Sequence, residues 1–130
     1  MPTRSYLPVC FVLLVALAAC APRYTVRDRP EGWSQSGTAC WYGGEFHGRR
    51  TASGEIFDEN KLTAAHPSLP FGTIVRVTNT ANDRSVLVRI NDRGPWKRGR
   101  IIDLSRAAAD QIGMIQTGLA EVEIEVVHTP

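Results

Sequence analysis

Asp92 closes a β-branched run, Ser85-Val86-Leu87-Val88-Arg89-Ile90-Asn91, and leads into the turn Arg93-Gly94-Pro95. A carboxylate held at the end of a rigid strand can act as a general acid or base. Its plainer role is to accept backbone N–H groups in an Asx-type turn. Other polar groups pose the same choice. Glu55 follows Gly54 in a polar loop, where a solvated glutamate is ordinary. His66 stands between Thr63-Ala64-Ala65 and Pro67, where a hydrogen-bonded core histidine is ordinary. Asp103 lies just before a short helical segment and reads as structural. His47 and His128 have no partner at metal-ligand spacing, and the chain carries no P-loop, dinucleotide fingerprint or Ser/His/Asp order. Neither a metal nor a cofactor is expected.

The elements that must position these groups are mostly strands. Residues 73–78 and 85–90 are β-branched runs joined by the turn-rich segment Asn79-Thr80-Ala81-Asn82-Asp83-Arg84. Residues 121–126 alternate strictly, so Val122, Ile124 and Val126 face a core and the three glutamates between them face solvent. Ser105 is a suitable N-cap for a short helix through Ile112, with Gly113 placed to end it. Many short strands with one brief helix predict a mainly β fold, a small closed barrel without exposed edges, over residues 37–130. No internal repeat or second domain is read.

The first residues are of another kind. Arg4 is followed by the apolar run Val9-Cys10-Phe11-Val12-Leu13-Leu14-Val15-Ala16-Leu17-Ala18-Ala19. That is shorter than the ~20 apolar residues of a membrane span, and it reads as a signal peptide over residues 1–19. Leu17-Ala18-Ala19-Cys20 matches a bacterial lipobox, so Cys20 is the expected lipidation site and membrane anchor. Ala21 in place of aspartate favours the outer membrane. Residues 20–36, with Pro22 and Pro30, read as the lipidated cysteine and a flexible tether. Of the three cysteines only Cys40 is then left in the folded part, as a half-buried apolar residue on a strand. Loss of Arg4 from 15 basic residues leaves 14 against 13 acidic, a charge of +1, with no basic tract suited to nucleic acid. The arginines from Arg84 to Arg106 are nonetheless dense enough to meet an anionic wall polymer or a carboxylate-bearing sugar.

Taken together, the polar clusters carry a resemblance. Trp41-Tyr42-Gly43, Phe46-His47-Gly48-Arg49-Arg50-Thr51-Ala52-Ser53-Gly54-Glu55, Leu62-Thr63-Ala64-Ala65-His66, Leu69-Pro70-Phe71-Gly72-Thr73, Asn91-Asp92-Arg93-Gly94-Pro95 and Gly99-Arg100 through Ile102-Asp103-Leu104-Ser105 closely resemble the rare lipoprotein A family. The likeness spans about residues 36–127, in the family's order, and the lipobox matches its export route.

The resemblance implies a six-stranded double-psi β-barrel and lytic transglycosylase activity on peptidoglycan glycan strands already stripped of stem peptides. It implies Asp92, Glu55 and His66 as the catalytic set. In that scheme Asp92 is the acid/base, a nearby Glu55 carboxylate favours its protonated form, and His66 orients the pair. Tyr42, Trp96, Asn91 and Arg93 are the implied substrate contacts, and Trp41 is assigned to the core. A monomer is expected. The family's frequent C-terminal glycan-binding module does not follow Pro130, so septal targeting is not expected from the likeness. Cys40 stands where serine is usual, a mild departure. A two-carboxylate hydrolase and a non-catalytic, expansin-like wall-binding lipoprotein are the alternatives.

Overall fold

The computed structural model describes residues 25–130, so the expected signal peptide and Cys20 lie outside the described residues. Six strands close into a barrel: β1 (Ser34–Trp41), β2 (Thr63–Ala65), β3 (Ile74–Asn79), β4 (Ser85–Asp92), β5 (Arg100–Leu104) and β6 (Leu119–His128). Around the barrel they run in the order β1-β5-β2-β4-β3-β6. Sequence neighbours β3 and β4 form the expected hairpin, whereas β1 pairs β5, and β2 pairs β4, in parallel.

Alternation builds the core. Val75 and Val77, Val86 and Val88, and Val122, Ile124 and Val126 all point inward from strands whose other faces are polar. The glutamates between the β6 positions stay on the outer face, where Glu125 meets Arg76 and Glu121 accepts from Thr38. Helix α1 (Arg106–Gln111) begins at Ser105, whose hydroxyl accepts the Ala108 N–H, and stops at Gly113, whose φ of 72° suits glycine. Ala108, Ala109 and Ile112 pack on the barrel.

The tether expectation needs correction. Strand β1 starts at Ser34, ahead of Gly37, and pairs at once with Glu125 on β6. The residues before it lie against the barrel: Arg27 N–H donates to the Ser68 carbonyl and Gly32 N–H to that of Val126. Trp33 is the reason. Its large ring packs on the core cluster and draws the preceding segment with it.

Two irregularities in the pairing position the site. In β4, Ala64 pairs with Ile90 but Ala65 with Asp92, so Asn91 is an extra residue. In β5, Thr38 pairs with Arg100 but Ala39 with Ile102, so Ile101 is extra. Each extra residue is buried beside a buried neighbour, which breaks the alternation and reverses the face of the residues after it. We predict that Ile102→Ala lowers stability by about 2–5 kcal/mol. Exposed Leu87→Ala should change it by no more than about 0.5 kcal/mol. Urea denaturation of both variants checks this, and equal effects would contradict the assigned core.

Candidate functional site

The register shifts place Asp92 and Asp103 in one row. Across four adjacent strands the paired residues run Cys40 on β1, Asp103 on β5, Ala65 on β2 and Asp92 on β4. Strands lie ~4.8 Å apart, which sets the two aspartate backbones ~10 Å apart across Ala65. Only the methyl group of Ala65 separates them within the row. Both side chains are half-buried on the same outer face.

The loop after β1 folds over this row. Tyr42 packs on Phe57 and Phe46, with ring centroids at 4.8 and 5.6 Å, and its hydroxyl donates to Asp92 Oδ2 at 3.0 Å. The other oxygen, Oδ1, accepts the N–H groups of Ala52 and Arg93, both at 2.9 Å. Asp92 is therefore held by three donors. Burial and the adjacent Asp92 charge push the Tyr42 hydroxyl far up, so it remains a donor.

Asp103 has a different environment. Burial raises its carboxyl above the usual range against a hydrogen bond from the Cys40 thiol and the charge of Arg100, and the Asp92 charge adds the smallest contribution to the rise. The same burial and contact push the Cys40 thiol up to about 12, so it stays protonated. The expectation of Cys40 as a half-buried strand residue is met, and its thiol additionally donates to a site carboxyl.

The expected trio is not joined by side-chain hydrogen bonds to Asp92, although the His66 N–H donates to the Asp92 carbonyl. Glu55 forms a two-pronged pair with Arg89, both N···O distances being 2.7 Å. Those hydrogen bonds hold its carboxyl below the usual range against a smaller push from burial. Among the described residues no hydrogen bond joins the Glu55 or His66 side chain to the Asp92 carboxylate. The carboxyl that acts electrostatically beside Asp92 is Asp103. Sequence reasoning leaves Asp103 as structural; the doublet Ile101-Ile102, which interrupts alternation, is the signal that reaches it.

His66 is 2% exposed. Its Nδ1 accepts the Ser68 and Leu69 N–H groups, both at 3.1 Å, so Nε2 carries the proton and donates to Gln35 Oε1 at 3.0 Å. Burial, helped by Arg93 and Arg29, lowers its pKa to about 4. It is a neutral hinge pin for the turn after β2.

Of the expected substrate contacts, Arg93 is otherwise engaged. Its Nη1 donates to the carbonyl oxygens of Leu69 (2.7 Å) and His66 (3.3 Å), and the guanidinium lies 4.0 Å over Phe71. Asn91 is 2% exposed, its Oδ1 lacks a partner among the described residues, and its side chain hydrogen-bonds Glu55. Trp96 is 56% exposed. It reaches the row through Gly94, which has φ of 113° and sits so close that an added Cβ would lie 3.6 Å from the indole nitrogen and 4.0 Å from Asp103 Oδ2. Trp41 packs against the core, as expected.

The described architecture matches known proteins. A family model described as lytic transglycolase matches residues 34–124. The chain belongs to this family. Among curated relatives, it is 53% identical over 103 residues to the endolytic peptidoglycan transglycosylase RlpA of Neisseria meningitidis serogroup A, covering 79% of this chain and 43% of that protein. Against the protein of the same description from Vibrio cholerae the identity is 54% over 104 residues, covering 80% and 40%. This chain therefore spans less than half the length of these curated relatives. In structure it is similar to the Streptomyces papain inhibitor, with a TM-score of 0.63 at 25% identity over 78% of this chain and 100% of the inhibitor. The Clavibacter michiganensis expansin gives 0.58 at 22% identity over 75% and 52%. The family and these neighbours make the six-stranded barrel a double-psi barrel.

The buried neutral histidine makes stability pH-dependent. Its folded pKa lies below the ordinary 6.5, so between those values the unfolded state binds more protons. Stability is fully present above pH ~6.5 and falls by on the order of 3 kcal/mol as pH drops toward ~4. His66→Asn keeps an acceptor near the Nδ1 position and cannot titrate, so unfolding measured from pH 7 to 4 should lose this slope. An unchanged slope in the variant would contradict the assignment.

Proposed function

We propose that this protein is a peptidoglycan lytic transglycosylase acting on peptide-stripped glycan, anchored by lipid at Cys20 in the outer membrane and working as a monomer. The observation that carries the reading is the pair Asp92 and Asp103 in one row, with different environments, beneath Tyr42 and beside Trp96. The 53% identity to proteins described as endolytic peptidoglycan transglycosylases supports the reaction class.

Such a reaction needs little from the protein. The 6-hydroxyl oxygen of a MurNAc unit bonds to that unit's own anomeric carbon as the bond to O4 of the neighbouring GlcNAc breaks. No protein nucleophile and no water enter, so acid and base are the whole requirement. Asp103, with its carboxyl raised by burial, donates a proton to the departing O4. Asp92, fixed by two backbone amides and the Tyr42 hydroxyl, accepts the proton of the 6-hydroxyl. The proton returns to Asp103 through solvent. Glu55 and His66 serve as positioning residues: one neutralises Arg89 at the foot of β4's bulge, and the other holds the turn that Arg93 clamps. Trp96 offers an apolar face to a sugar ring.

A second reading, glycan binding without cleavage, draws on a Clavibacter expansin variant crystallised with cellohexaose, whose fold resembles this one at a TM-score of 0.59. Product analysis separates the two. With peptide-stripped peptidoglycan, the wild type should release fragments ending in 1,6-anhydroMurNAc. Asp92→Asn and Asp103→Asn should each slow release by about 10²–10⁴-fold. Reducing ends would indicate a hydrolase, and bound glycan with no release would favour the second reading. Full activity in Asp103→Asn would remove that residue from the mechanism.

A further inference from the structure

Residues 25–33, expected as a tether, form one wall of a second cleft of about 410 Å³. Arg27, Arg29 and Trp33 line it from this segment, facing Gln35, His66 and Trp96. The wall is held in place: Arg27 N–H bonds to the Ser68 carbonyl, and Trp33 meets the His66 ring edge-on with centroids 6.3 Å apart. The Arg29 guanidinium lies 4.8 Å over the Trp33 ring.

The cleft is electrically one-sided. No aspartate or glutamate lines it, and Arg27 and Arg29 enter no ion pair among the described residues. Arg29 Nε is buried and has no hydrogen-bond partner among the described residues. The guanidinium fork fits a carboxylate, and its stacking on Trp33 pre-orders it for that contact. Trp96 belongs to this cleft, and its indole nitrogen and Asp103 Oδ2 both lie beside Gly94.

We propose that this cleft is a subsite for the free lactyl carboxylate of a MurNAc unit, held by Arg29 and Arg27, with the same strand running over Trp96 to the aspartate row. This rests on the proposed function and deepens it. On glycan bearing stem peptides that carboxylate is an amide with no charge. The arginines therefore supply a physical reason for a preference for stripped strands.

The test measures binding to the full chain carrying Asp92→Asn, which slows turnover, by isothermal calorimetry. The probes are peptide-free peptidoglycan oligosaccharides, the same oligosaccharides with their lactyl carboxyls converted to methylamides, chitooligosaccharides, and an oligomer of hexuronic acid. The free-carboxylate glycan should bind about tenfold or more tighter than its methylamide. Arg29→Gln should abolish that difference while leaving methylamide and chitooligosaccharide affinities unchanged. Arg29→Lys, which keeps the charge and loses the fork, should retain part of it.

Equal binding of carboxylate and methylamide, or an Arg29→Gln loss that is the same for both, would overturn the subsite. Binding of the hexuronate as tight as that of the lactyl glycan would overturn the lactyl assignment. Turnover of the wild type is read separately. Anhydro products without carboxylate discrimination would leave the function standing and reject the subsite. Discrimination without products would do the reverse. No binding of any glycan would reject both.

Discussion

Strand β2 contributes three residues, Thr63, Ala64 and Ala65, and every one is buried. It runs parallel to β4 on one side and antiparallel to β5 on the other, so it sets the relative position of the two strands that carry the aspartates. Its ends are tied by backbone bonds: His66 N–H to the Asp92 carbonyl, and Ser105 N–H to that of Thr63. A side chain larger than methyl at Ala65 would stand between the two carboxyl groups. The small residues of Thr-Ala-Ala are therefore a spacing constraint; the register shift at Asn91 is taken up against this strand and that at Ile101 against β1.

Around that strand the charges are sorted by environment. Glu55 is committed to Arg89, and His66 is neutral and committed to backbone N–H groups. Arg93 is committed to carbonyl oxygens and to Phe71. These pairings tie up Glu55, His66 and Arg93, while Asp103 feels the charge of Arg100 as well as that of Asp92.

Much of this is legible in the residues themselves. Alternation over 121–126 and the β-branched runs on either side of Asn79–Arg84 lead to the hairpin and the final strand because one face of each meets the core. Ser105 and Gly113 mark the helix because caps are local chemistry. Asp92 stands out because it joins a strand to a Gly-Pro turn. Pairing around the barrel is not legible, since β1 meets β5 and β2 meets β4 across long stretches of chain. The family resemblance names Glu55 as the second carboxyl, and in the fold that carboxyl pairs with Arg89, whereas Asp103 reaches the Asp92 row only through pairings that the sequence does not show. Trp33 shows the other limit: in a proline-bearing, charged segment without periodicity, one large aromatic suffices to dock the chain.

Asp92 and Asp103 share one row across Ala65, and the Asp92 charge adds the smallest contribution to the raised Asp103 carboxyl. Carbon-13 NMR titration of the Asp103 carboxyl, in the wild type and in Asp92→Asn, measures it without any substrate. The expected wild-type midpoint for Asp103 lies above the ordinary aspartate value of about 3.9, and it should shift downward once the Asp92 charge is removed. An ordinary midpoint that ignores the substitution would mean that the two groups are independent, and the row would lose its claim to be the site.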